Sequence, residues 1–176
     1  MNFSAIIMLM NQDTVKHEVN IFVELKFRTS IKKTWLKKVA AEILRELSLS
    51  TPSEIGIVVT NDKAIQRLNK AYRNKDGPTD VLSFYMVPED VNSKQKQQFI
   101  AAPDGFSHLG EVVISYPRAE LQAAERGHDV KHEIMLLSVH GVLHLLGYDH
   151  EKSAAEAKRM KAKETMILST LVSQFD

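Results

Sequence analysis

The stretch on which the reading of this chain turns is HGVLHLLGYDH, His140-Gly141-Val142-Leu143-His144-Leu145-Leu146-Gly147-Tyr148-Asp149-His150. The apolar run that enters it, from Val130 to Leu146, reads as a helix. Gly147 stops that helix, because glycine enters the left-handed region without a Cβ penalty and turns the chain back. Residues four apart share one face of an α-helix, one turn above the other. His140 and His144 therefore present two imidazoles side by side, and the reversal at Gly147 lets His150 reach the same point. Three neutral imidazoles suit a zinc-type ion at about 2.0–2.1 Å and leave its fourth position open, the pattern of a catalytic rather than a structural site.

Working outward, strands alternate with helices. NIFVELKF (Asn20–Phe27) partly alternates and reads as a strand; Ser30 caps a helix to Leu47 with Ile31, Trp35, Val39, Ile43 and Leu47 on its apolar stripe. EIGIVVT (Glu54–Thr60) is a strand. Asn61 or Asp62 caps a helix with Ile65, Leu68 and Tyr72 inward, which ends in the turn Asp76-Gly77-Pro78. VLSFYMV (Val81–Val87) is a buried strand, residues 88–107 a long polar loop, and LGEVVIS (Leu109–Ser115) a strand again. Ser115 and Pro117 open a helix that closes near Gly127. After the histidine stretch, Ser153 with Glu156 three residues on forms a capping box, and a last helix carries Met160, Ile167 and Leu171. The expected architecture is α+β: a single domain over residues 18–176, with a layer of helices on a small mixed sheet, preceded by a flexible extension over 1–17.

The totals agree with one globular domain. The chain has 176 residues, 44% hydrophobic and 26% charged, with a net charge of +1. Bulk charge thus gives no nucleic-acid signal, although eight Lys/Arg against three Glu lie between Lys16 and Arg45, and Lys63, Arg67, Lys70, Arg73 and Lys75 form a second basic run. Each run is either a solvated helix face or a phosphate-tracking surface. There is no cysteine, so disulfides and thiolate metal sites are excluded and a transition metal must rest on His, Asp or Glu. A cytoplasmic location fits that composition. The apolar start lacks a basic leader and cleavage site, and no stretch is long enough to span a membrane. His17, His108, His128 and His132 are read as non-ligands.

Gly141 stands where a zinc protease of the H-E-x-x-H type carries its glutamate. Glycine inside a helix costs about 1 kcal/mol relative to alanine, so close approach of a backbone or substrate is expected there. Without that carboxylate the usual peptide hydrolysis lacks its base. A phosphodiester suits such a site better, with an arginine to stabilise the developing charge. Arg73, in YRNKDGPTDVLSF (72–84), is the candidate, though a cation at a helix C-terminus also has a purely structural reading. Thr79 and Asp80 are read as ordering the turn, and Glu111 as a solvent-facing strand residue.

YRNKDGPTDVLSF, LGEVVIS, HGVLHLLGYDH, Leu68-Asn69, and Met160 with Glu164 together resemble the YbeY family of endoribonucleases, or ribosomal RNA maturation factors, over roughly residues 54–170. The resemblance implies a single-domain α+β fold and one zinc-type ion (Zn²⁺) per chain at His140, His144 and His150. It also implies cleavage of single-stranded RNA with Arg73 as the functional arginine, and work on ribosomal RNA and ribosomal particles, above all the 3′ end of the small-subunit RNA, with ribosome quality control. Tyr85 departs from the family pattern, in which proline commonly follows Leu-Ser-Phe; the 88–107 segment is longer and the N-terminus extended. Two other readings stand beside this one: a metallohydrolase acting on peptides, and a non-catalytic, metal-stabilised ribosome-associated factor. Three imidazoles also suit nickel or copper, water and the ribose 2′-hydroxyl are both available nucleophiles, and nothing in the pattern sets an oligomeric state.

Overall fold

The computed structural model describes residues 15–86 and 105–175. Its elements are β1 (Glu18–Val23), a 3₁₀ turn (Leu25–Phe27), α1 (Lys33–Glu46), β2 (Ser53–Thr60), α2 (Asp62–Arg73), β3 (Val81–Tyr85), β4 (Ser107–Ser115), α3 (Tyr116–Arg126), α4 (Val130–Leu145) and α5 (Ala154–Phe175). The α+β reading with a mixed sheet holds. The strand order is β1-β2-β4-β3; β1 with β2 and β2 with β4 are parallel, and β3 lies antiparallel to β4 at the edge. Parallel neighbours need crossovers. Here α1 carries the chain from β1 to β2, and α2 followed by β3 carries it from β2 to β4.

Alternation along the strands divides the side chains between two faces. Val23, Ile55, Ile57, Val59, Val112 and Ile114 form the main core with apolar residues of α1, α4 and α5. Leu82 and Val113 point the other way, into a small second cluster with Ile65 of α2, flanked by Val58, Leu68 and Phe84. Helix α2 covers this opposite face, on a narrow buried edge of Ile65 and Asn69. Helix α4 is buried nearly all round, which its apolar content foreshadows.

Several boundaries differ. β1 ends at Val23 rather than Phe27, because the 3₁₀ turn swings Phe27 inward to stack on Tyr116, with ring centroids 4.4 Å apart. Ser30 is not the cap of α1; the helix begins at Lys33 behind Lys32, after Ile31 has been fully buried by the preceding turn. α2 ends at Arg73, three residues before the Asp76-Gly77-Pro78 turn, where Asn74 takes a left-handed conformation. β4 starts at Ser107, whose N–H donates to the Pro52 carbonyl at 2.7 Å. β3 stops at Tyr85, and most of the polar 88–107 segment, like all but residues 15–17 of the expected extension, lies outside the described residues. Among the described residues no helix is long and apolar enough to cross a membrane.

Candidate metal centre

The site is built on α4 and the reversal that ends it. Asp129 caps the helix start by accepting from the His132 N–H at 2.8 Å. At the other end Gly147, with φ +86°, donates to the His144 carbonyl (2.8 Å), and Tyr148 N–H donates to the Leu143 carbonyl (3.1 Å). This double bond pattern is the Schellman stop expected of a glycine at that position. It returns the chain so that His150 faces the helix it has just left.

The three rings converge. Centroid separations are 4.7 Å for His140 and His144, 5.3 Å for His140 and His150, and 5.2 Å for His144 and His150. One nitrogen from each lies within 4.8 Å of the others, and among the described residues no other His, Asp or Glu group gathers in this way. His140 Nε2 and His144 Nε2 are 3.1 Å apart. Two nitrogens bound at 2.0–2.1 Å to a tetrahedral ion would stand roughly 3.3 Å apart. The donor set thus fits a metal ion.

Further groups hold the rings. Glu164 of α5 accepts a hydrogen bond from His140 Nδ1 at 2.6 Å, which leaves Nε2 as the lone-pair nitrogen. Burial works to raise the Glu164 carboxyl, but the hydrogen bond from His140 and the nearby Lys161 outweigh it and hold the group below the ordinary carboxylate range. Burial first, then the neighbouring His140 and His150 rings, lowers His144, so its neutral, ligating form is favoured. Tyr85 donates its hydroxyl to the His144 carbonyl at 2.7 Å, and burial with the nearby Asp149 charge keeps that hydroxyl protonated.

Gly141 has a packing explanation. A Cβ there would lie 2.4 Å from Val112 Cγ1 and 3.2 Å from Ser83 Oγ. Glycine therefore lets α4 sit directly on β4, and Ser83 donates to the Gly141 carbonyl at 3.0 Å. The close approach foreseen at this position is made by the sheet, not by a substrate.

Arg73 and the three histidines line one cavity of about 490 Å³, together with Asp80, Ser83, Tyr85 and Arg126. Arg73 ends α2, remains exposed, and among the described residues pairs with no carboxylate. Asp80 orders the turn as expected: Oδ1 accepts from Val81 N–H (2.9 Å) and Thr79 (3.0 Å), and Oδ2 accepts from Gln122 (3.1 Å). Burial pushes its carboxyl up, and those three partners more than reverse the effect. Glu111 is exposed on β4. The remaining histidines lie elsewhere. His17 Nδ1 accepts from Ser53 N–H at 3.2 Å, His108 pairs with Glu54, and the rings of His128 and His132 are 4.6 Å apart near Glu133.

The sequence singles out neither Glu133 nor Arg126, and marks Glu164 only as a match to the family pattern and Tyr85 only as a departure from it. Glu164 carried a usable signal: it falls on the buried stripe Met160, Glu164, Ile167, Leu171, and a carboxylate on an apolar helical stripe must have a partner. Tyr85 had no such signal, since its bond spans 59 residues.

Residues 19–172 match the family described as endoribonuclease YbeY. The chain is 51% identical over 141 residues to a protein named endoribonuclease YbeY from Dehalococcoides mccartyi, covering 80% of this chain and 85% of that one. It is 41% identical over 158 residues to a protein of the same name from Aquifex aeolicus, covering 90% and 95%. The solution structure of a Thermotoga maritima protein matches the fold with a TM-score of 0.54 at 25% identity, covering 85% of this chain and 86% of that one. The family match reaches back to Val19 and takes in β1, beyond the span of the motifs alone. On the converging histidines, the arginine beside them and this extent of similarity, the chain belongs to the YbeY endoribonuclease family.

Proposed function

We propose that this chain is a zinc-dependent endoribonuclease that cuts single-stranded RNA. It acts in the cytoplasm on ribosomal RNA and ribosomal particles, above all at the 3′ end of the small-subunit RNA, and serves ribosome quality control. Family membership supports the RNA substrate, and the resemblance of the sequence motifs to ribosomal RNA maturation factors supports the ribosomal setting. The observation that carries the chemistry is the convergence of three imidazoles in a cavity that also holds Arg73, an arginine with no carboxylate partner among the described residues.

His140, His144 and His150 would hold the ion. When bound, it supplies Lewis acidity toward a phosphoryl oxygen. Glu164 keeps the His140 ring turned so that Nε2 faces the centre, and Tyr85 steadies the backbone beneath His144. Arg73 offers its fork of N–H donors to the phosphate oxygens on which charge builds, and a preorganised donor of this kind is worth about 10²–10³ in rate. The peptide-hydrolase reading loses support because the site of the missing glutamate is directed at Val112. The decisive experiment incubates zinc-loaded protein with single-stranded RNA and a duplex of the same sequence. Preferential cutting of the single strand, abolished in His144→Ala, is expected. Equal cutting by wild type and a His144→Ala protein shown to be metal-free defeats the proposal, and digestion of unfolded protein with RNA left intact would favour the peptidase.

A further inference from the structure

The cavity is longer than the metal corner needs. Two hydrogen bonds set its direction: Ser83 reaches the Gly141 carbonyl and Tyr85, two residues on, reaches that of His144. Strand β3 and helix α4 therefore run side by side, with the histidines toward one end. Followed back along α4, the cavity wall continues through Leu137 and Leu136 to Arg126, the last residue of α3.

Arg126 is held by a carboxylate from which solvent is excluded. Glu133 is 0% exposed, and its Oε1 accepts from Arg126 Nη1 at 2.5 Å. His128 Nε2 lies 3.2 Å from the other oxygen. Ionised groups are rarely taken out of water unless paired, and here the pairing fixes a long, otherwise mobile side chain. The Arg126 side chain is still 48% exposed, and among the described residues only Nη1 has a partner. The rest of the fork has no partner among the described residues, and Arg126 lines the cavity, into which it can donate. Glu133 and His140 are seven residues apart on α4, about 10 Å at 1.5 Å per residue. Asp80, which lines the cavity along with Asp149 and Glu151, already accepts three hydrogen bonds.

We propose that Arg126, positioned by the buried Glu133, binds a phosphodiester neighbouring the one at the histidines, so that the cavity takes an extended stretch of single strand rather than an isolated phosphate. The assignment rests on the ribonuclease reading and adds a second phosphate subsite to it. It predicts that RNA lacking charge at the flanking phosphate binds this subsite no better than uncharged ligand does.

The test is the salt dependence of binding. Full-length wild type, Arg126→Ala and Arg126→Lys are titrated with a short fluorescein-labelled oligouridylate across a range of salt, with the RNA checked intact by gel. Each phosphate contact on a single strand contributes about 0.7 to the slope of log K against log salt. Arg126→Ala should lose about that much slope and bind roughly tenfold more weakly at low salt, whereas Arg126→Lys keeps the charge and the slope. An RNA with one neutral methylphosphonate at the flanking position should weaken wild type and have no further effect on Arg126→Ala. If Arg126 only ties α3 to α4, Arg126→Ala lowers the melting temperature and leaves the slope at the wild-type value, and the assignment fails. If the wild type itself shows no salt-dependent RNA binding, the ribonuclease reading fails with it.

Discussion

Gly141→Ala isolates the contact that seats α4, with its histidines, on the sheet. Judged as a helix position alone, the change should stabilise the protein by about 1 kcal/mol, the usual difference in propensity. The tertiary structure opposes this. The new methyl would meet Val112 Cγ1 at 2.4 Å, well inside contact distance, with the second Val112 methyl at 3.0 Å. Val112 is fully buried and pairs with Ile57 on one side and Ser83 on the other, so neither its side chain nor its strand can yield freely. Overpacking of this kind costs about 1–3 kcal/mol, and lifting the helix weakens the Ser83 bond to the Gly141 carbonyl, worth a further ~1 kcal/mol. The net expectation is a loss of about 1–3 kcal/mol, or roughly 2–4 °C in melting temperature per kcal/mol for a domain of this size. His140 adjoins the displaced residue and His144 lies one turn on, so zinc affinity should fall with stability. Chemical denaturation of the metal-free protein gives the first quantity, and competition with a fluorescent chelator gives the second. The double variant Gly141→Ala/Val112→Ala supplies the room and should recover part of what Gly141→Ala loses, a coupling that the double-mutant cycle reads directly. A Gly141→Ala protein more stable than wild type, with undiminished zinc affinity, would refute the packing argument.

Glu164→Gln should weaken zinc binding about 10–100-fold, the usual effect of losing a carboxylate behind a ligating histidine; chelator competition measures it, and affinity within twofold of wild type would remove the role given to Glu164. Arg73→Ala should lower kcat/KM on single-stranded RNA by about 10²–10³ while the exposed site leaves stability within about 0.5 kcal/mol, as followed by steady-state cleavage and thermal melts. For Asp80, the folded-state carboxyl lies below its ordinary value of 3.8. Its stabilising contribution is therefore present in full above that value and is lost as pH falls through the lower folded value. Asp80→Asn should be less stable than wild type by about 1–3 kcal/mol at pH 7, and the two denaturation curves should converge below pH 3.8.

What could be read directly was local. The spacing of His140 and His144, the stop at Gly147 and the return of His150 depend on helix period and on one backbone conformation, both carried by adjacent residues. The Ser153 cap, the β2 and β4 strands and a cap at Asn61 or Asp62, which the structure gives to Asn61, were legible for the same reason. The missed ends of β1 and α1 mark where burial of Phe27 and Ile31 outweighed local propensity.

By itself, the sequence determined the chemistry available: three imidazoles at one helix end, no thiol, and an arginine closing a neighbouring helix. Only the tertiary structure decided which groups meet that centre. Glu164 bonds across 24 residues, Ser83 across 58 and Tyr85 across 59, and the reason for Gly141 lies on a strand nearly thirty residues away. The placement of α2 on the far face, with Arg73 at its end, was likewise set by packing. The physical reason is that helix period and caps act within a turn or two of the chain, whereas strand order and the meeting of side chains follow from how separate apolar faces are buried together, which no local pattern records.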